Sequence, residues 1–161
     1  MNFENFSIHY FVNQDETGAA WNENGVLVPK FGGGDEVTLN ALEYEQQYQV
    51  GTRHASEATI RMASEDDQFE IRLQPKWSFY MKGIGYGHES FRHGSYHGEL
   101  DVLRERYVLS ELGPENLHIQ AMCDIQLTSS TGTQKGQGVL EQLVIGPHAP
   151  SGFTDVMDFA R

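Results

Sequence analysis

The stretch HIQAMCDIQLTSSTGTQKGQGVLEQLVI, residues 118–145, decides the fold class. His118 to Leu127 and Gly136 to Ile145 read as two long strands, and the polar run Thr128 to Lys135 between them as a hairpin loop. Side chains alternate across a strand, so His118 and Gln120 share one face, while Leu117, Ile119 and Ala121 fill the other. Glu141 lies in the apolar run VLEQLVI, where alternation turns it outward. Cys123, the only cysteine, sits among apolar neighbours and reads as a small buried hydrophobe rather than a nucleophile.

The same signals run through the rest of the chain, and helical periodicity is hard to find. Strands are expected at Phe6–Phe11, Gly25–Lys30, Glu36–Leu42, Tyr44–Val50, Ala55–Met62, Phe69–Leu73, Lys76–Lys82 and Glu99–Leu109. Asn13 to Asn24 is polar and turn-rich, with Trp21 as its one large apolar anchor. Gly32-Gly33-Gly34-Asp35 is a turn, and Ser64 to Asp67 a hairpin turn. Gly146 to Arg161 reads as an irregular tail with a short helix near Phe153 to Ala160. About ten short strands at spacings of roughly 8 to 12 residues predict one all-β domain over residues 1–161, an antiparallel sandwich or barrel with little helix.

Bulk composition narrows the function. With 161 residues, 39% of them hydrophobic, the chain can build a core. The formal charge of −12 disfavours nucleic acid and anionic membrane surfaces, which are recognised by Lys and Arg. A neutral or cationic small molecule or a protein partner fits better. There is no signal-peptide pattern at MNFENFSIHY and no apolar run near the roughly 18 to 20 residues that span a bilayer, so a soluble, cytoplasmic protein is expected.

Chemistry concentrates in KGIGYGHESFRHGSYHGELD, residues 82–101, with five glycines and His88, His93 and His97 beside Arg92, Glu89 and Glu99. If Tyr96 to Leu103 is a strand, His97 and Glu99 share a face, and a carboxylate there can orient an imidazole or raise its pKa. Such a pair suits general acid–base work, and Arg92 could stabilise a developing oxyanion. Around an apolar ligand, Trp77, Phe79, Tyr86 and Tyr96 would form the walls. The bland alternative is that the histidines and Arg92 only satisfy buried polar groups at a glycine-rich bend. Metal binding is the weaker functional reading: the spacing of His88, His93 and His97 matches no known ligand motif and the glycines oppose a helix. No cofactor-binding fingerprint is present, and none is expected. His148 is expected to shape the tail, and His9 and His54 to be structural.

Gly85-Tyr86-Gly87-His88, His93-Gly94 and Gly98-Glu99, with Asn116 to Gln120, Gly138 to Gln142 and Gly146 to Phe153, form a pattern that resembles AttH-like proteins. That group is similar to hydroxyneurosporene synthase, the carotenoid 1,2-hydratase, and the match covers about the second half of the chain. The resemblance implies a lipocalin-like (calycin) β-barrel and an activity on hydrophobic polyenes, isoprenoids or polyketides, by hydration or pericyclic chemistry. It also implies that His118 and Gln120 face the lumen. Members usually carry two barrels and this chain resembles the C-terminal one, so a homodimer is expected. The resulting expectation is a cofactor-independent hydratase, isomerase or cyclase acting through His88, Arg92, His93, His97 and Glu99. The ligand would be held by Trp77, Phe79, Tyr86, Tyr96, His118 and Gln120. A non-catalytic binder of hydrophobic ligands and a protein-interaction module are the alternatives.

Overall fold

A computed structural model describes residues 1–80, 98–100, 102, 118–143, 146–155 and 158–161. Its strands are β1 (Phe6–Gln14), β2 (Ala20–Pro29), β3 (Val37–Tyr48), β4 (Ala55–Ala63), β5 (Gln68–Tyr80), β6 (His118–Ser129) and β7 (Gly132–Leu143). They form one antiparallel 7-stranded sheet in sequential order, curled into a half-barrel with almost no helix.

The all-β antiparallel expectation holds, and the strand count is corrected from about ten to seven among the described residues. Bulges explain much of the difference. Glu36–Leu42 and Tyr44–Val50 fuse into β3, whose register slips at Leu42 between Ala41 and Glu43. Phe69–Leu73 and Lys76–Lys82 fuse in the same way into β5, with a slip between Pro75 and Trp77. Each slip inserts an extra residue and changes which parity faces inward. Of the strand expected at Glu99–Leu109, residues 99 and 100 form a bend and most of the remainder lies outside the described residues.

Two further boundaries move. β2 begins at Ala20, within the stretch expected to be turn-rich, because Asp15 alone organises the β1–β2 turn. Its carboxylate accepts from the Thr17 amide at 2.8 Å, the Ala19 amide at 3.0 Å and the Thr17 hydroxyl at 2.7 Å. The tail has a 3-10 turn at Ala149–Ser151, and the described residues between Phe153 and Ala160 contain no helix.

The core follows from alternation. Ile119, Ala121, Cys123, Ile125 and Leu127 of β6 are buried, as are Ala58, Ile60 and Met62 of β4 and Ile71 and Leu73 of β5. Phe3, Ile8, Leu39, Ala55 and Leu140 join them in the core. Burial also raises the Cys123 thiol pKa, which suits a packing role.

Both chain ends pack against the sheet. Near the start of β1, Asn2 bridges Ser7 on one side and Gln137 of β7 on the other. The Asn2 and Gln137 amides donate to each other's carbonyls at 2.7 and 3.1 Å. Gly136 and Gly138 make this possible, since a Cβ on Gly136 would lie 2.4 Å from the Asn2 carbonyl oxygen. At the opposite end the tail packs on the β3–β4 connection. Arg53, only 1% exposed, donates from Nε to the Asp158 carbonyl at 2.7 Å and from Nη2 to the Asp155 carbonyl at 3.0 Å. Its guanidinium also lies 4.4 Å from the centre of the buried Phe153 ring. Among the described residues no helix is long and apolar enough to cross a membrane.

Candidate functional site

The sheet is not uniformly joined. β2 and β3 pair over three positions only, Gly25–Leu39, Val26–Thr38 and Leu27–Val37. Beyond them Ala20 to Asn24 continues with β1, while Asn40 to Tyr48 continues with β4. The two ribbons therefore part toward the end where the tail packs, leaving a gap in the pairing of the sheet. The Leu42 bulge assists, because a bulge bends and twists its strand.

Inward positions along this opening are rich in tyrosine. Tyr10 of β1 lies in register with Gly25, where a larger residue would meet the Leu39 carbonyl oxygen and Met62 Sδ, each 2.9 Å from a built Cβ. With no side chain at Gly25, Tyr10 reaches the Tyr44 ring on β3, their centres 5.9 Å apart. The Tyr10 hydroxyl donates to Glu23 of β2, and the Tyr44 hydroxyl to Oε1 of Gln46. Burial is the main cause that raises both phenol pKa values, and Glu23 adds to it for Tyr10, so both rings stay protonated donors at neutral pH.

Gln46 Nε2 is buried and has no hydrogen-bond partner among the described residues. Buried amides are rarely left this way. Exchanging the amide N and O would place an acceptor there instead of a donor.

Above this pair, Tyr48 leads to a second polar cluster. Its hydroxyl is 3.0 Å from Ser151 Oγ, which is 2.6 Å from His148 Nδ1, and His148 Nε2 is 3.1 Å from Gln14 Oε1. The Ser151 hydroxyl donates to Tyr48, so its oxygen is left to accept from His148 Nδ1, and Gln14 Oε1 faces Nε2. Burial lowers the His148 pKa, opposed by Asp15. Every backbone amide from Ser151 to Phe153 is already engaged within the turn, so the cluster lacks donors for an oxyanion and acts as a clasp.

A family model described as a family of unknown function, DUF8625, matches residues 1–154. The chain belongs to this family. No curated protein and no solved structure matches it.

In this DUF8625 protein the residues singled out from sequence fall into three groups. His88, Arg92, His93, His97, Tyr86 and Tyr96 lie outside the described residues. Glu99 is exposed, next to Gly98 with φ of +134°. Trp77, His118 and Gln120 lie on β5 and β6, on the outer face. Trp77 is opposite Met122 and 76% exposed, and Phe79 is in register with Gln120. The placement expected of Trp77, His118 and Gln120 in the lumen is thus corrected. The Pro75/Trp77 slip reverses the parity of β5, and Ile119 and Ala121 take the inward positions of β6.

His118 instead pairs across the outer face with Glu141, which is exposed as alternation predicts. A separate open groove of about 820 Å³ crosses β5 to β7 beside the N-terminal segment, lined by charged Arg72, Asp124 and Lys135 and by apolar Phe3, Leu73 and Ile125. The DUF8625 fold therefore gathers a site that strand-by-strand reading misses: Tyr10, Glu23, Tyr44 and Gln46 are 36 residues apart at most and come from three strands. The available signal was the spacing Tyr44, Gln46, Tyr48, which puts those side chains on one face.

Proposed function

We propose that this protein binds a small, largely apolar molecule in its half-barrel, admitted where β2 and β3 part. The observation that carries this reading is the Tyr10–Tyr44 ring pair on the inner face, beside the gap in pairing between β2 and β3. Aromatic walls with a few placed polar groups are the usual composition of small-molecule sites. The lipocalin-like character expected from the sequence is in keeping with such a role. The test is a titration with the neutral fluorophore N-phenyl-1-naphthylamine. Saturable one-to-one binding that weakens several-fold in Tyr44→Ala is expected, and a linear, non-saturating response would refute it.

A catalytic version adds acid–base hydration, isomerisation or cyclisation of the bound molecule by His88, Arg92, His93, His97 and Glu99, without a cofactor. Its support is the sequence pattern of residues 85–99. Under this version His93→Ala with Glu99→Gln abolishes turnover and leaves probe binding intact. Pairing of two copies is the further part of the proposal. It is supported by a row of exposed apolar side chains, Trp77, Met122 and Val139, in register across the outer face of β5 to β7.

A further inference from the structure

We infer that the outer face of the sheet carries a second site, independent of the interior one, which binds an uncharged oligosaccharide across β4 to β7 with Trp77 as the platform for a sugar ring. Three observations carry it: a groove with room for a chain of rings, walls of unengaged amide side chains, and a bulge that turns a tryptophan outward beside them.

The groove of about 820 Å³ runs across the strands rather than along them. One wall is the in-register row Gln74, Asp124, Gln137 and Asn2; the other is Arg72, Gln126 and Lys135, two positions away on each strand. From Glu57 on β4 to Asn2 it crosses five adjacent segments, a span of about 19 Å at the usual strand spacing and close to that of about four sugar rings. The backbone of β5 and β6 beneath it is already paired within the sheet, so the groove does not take an extended peptide by strand addition. Recognition falls to the walls. The side chains of Asn2, Gln126, Gln137 and Lys135 make no hydrogen bond or ion pair among the described residues. An amide both donates and accepts, as a sugar hydroxyl does, so the two match whichever way the amide is turned. Arg72 is held by Glu70 and Lys76 by Asp124, while Glu4 and Glu57 add negative charge to a chain of −12, which disfavours uronates and sulfated sugars.

Trp77 adds the apolar contact. Alternation from Gln74 would turn residue 77 inward, but the slip between Pro75 and Trp77 turns it outward, opposite Met122 and two positions along β6 from Asp124. Its indole is thereby left 76% exposed beside the groove wall. Bulges recur beside binding sites, where they re-aim a side chain. A flat ring there can cover the C–H face of a pyranose while the hydroxyls at the sugar's rim reach the amides. Trp77 also belongs to the row proposed for pairing, so a sugar and a second copy compete for it.

The experiment titrates the full chain, kept dilute, by calorimetry with cellotetraose, maltotetraose, mannotetraose and tetragalacturonate at pH 7. At least one neutral tetrasaccharide should bind one-to-one, and tetragalacturonate several-fold more weakly. Trp77→Ala should weaken the neutral sugar about five- to tenfold, the loss of one aromatic contact. Gln126→Ala combined with Gln137→Ala should weaken it by a similar factor. All three side chains are exposed, so the urea midpoints of both variants should match the parent, which separates lost binding from lost fold. If no neutral tetrasaccharide binds at about 10 mM, or if both variants bind as the parent does, the inference falls and the groove is a solvated face. The interior proposal is read separately, by N-phenyl-1-naphthylamine, and neither result decides the other.

Discussion

At the residue scale, Arg53 and Phe153 hold the tail against the barrel. Arg53 is charged, almost fully buried and bonded to carbonyls more than a hundred positions away in sequence. Replacing it with methionine keeps the stem but strands those carbonyls, at a cost of about 3 kcal/mol in urea unfolding. Phe153→Ala should cost a similar amount, roughly 3 kcal/mol, by removing a buried ring. Losses below about 1 kcal/mol for both would mean that the tail is not part of the cooperative unit.

Burial also lowers the pKa of His54 and His148. A group that binds its proton more weakly when folded stabilises the fold fully above its unfolded pKa, about 6.5, and loses that contribution as pH falls through this value. Asp158, held low chiefly by the Thr154 hydroxyl and amide, contributes above the unfolded carboxylate pKa and weakens only below about pH 4. The urea midpoint should therefore fall between pH 7 and 5, and less so in His148→Gln. A flat midpoint over that range contradicts the assignment. The tail-shaping role of His148 is legible in the run GPHAPSGF, whereas Arg53 is a single polar residue in the sequence and only the fold brings its partners to it.

At the element scale, alternation was readable and changes of alternation were not. β6 and β7 appear in the sequence almost as they fold, because each keeps one parity throughout. β3 and β5 were divided because Leu39 and Ala41 face inward at odd positions but Tyr44 and Gln46 at even ones, and β5 switches between Leu73 and Ser78. A bulge leaves no mark in composition, so the reading of Trp77 as lumen-facing failed for a definite reason. β7 offers a sharp test of barrel closure. Gly136→Val would push Cγ atoms into Asn2 and Phe3, so a loss of about 2–3 kcal/mol is expected. Gly146→Ala meets no neighbour and should stay within about 0.5 kcal/mol of the parent. Equal effects of the two substitutions in urea titration would argue against the bridge from β1 through Asn2 to β7.

At the scale of the whole molecule, fold class was legible because an all-β chain declares itself through turn spacing and the scarcity of helical periodicity. The opening was not, since the parting of β2 from β3 depends on register between strands rather than on either strand alone. Sedimentation equilibrium should return the mass of two chains, and a single-chain mass at all concentrations would remove the pairing proposal while leaving the site untouched. The central claim is occupancy of the half-barrel by a neutral apolar molecule. Native mass spectrometry of freshly purified protein, with solvent extraction and identification of what is released, tests it most directly. A one-to-one adduct that yields an uncharged apolar compound and diminishes in Tyr44→Ala is expected; a chain that flies empty from every preparation and takes up no such compound when supplied would contradict this.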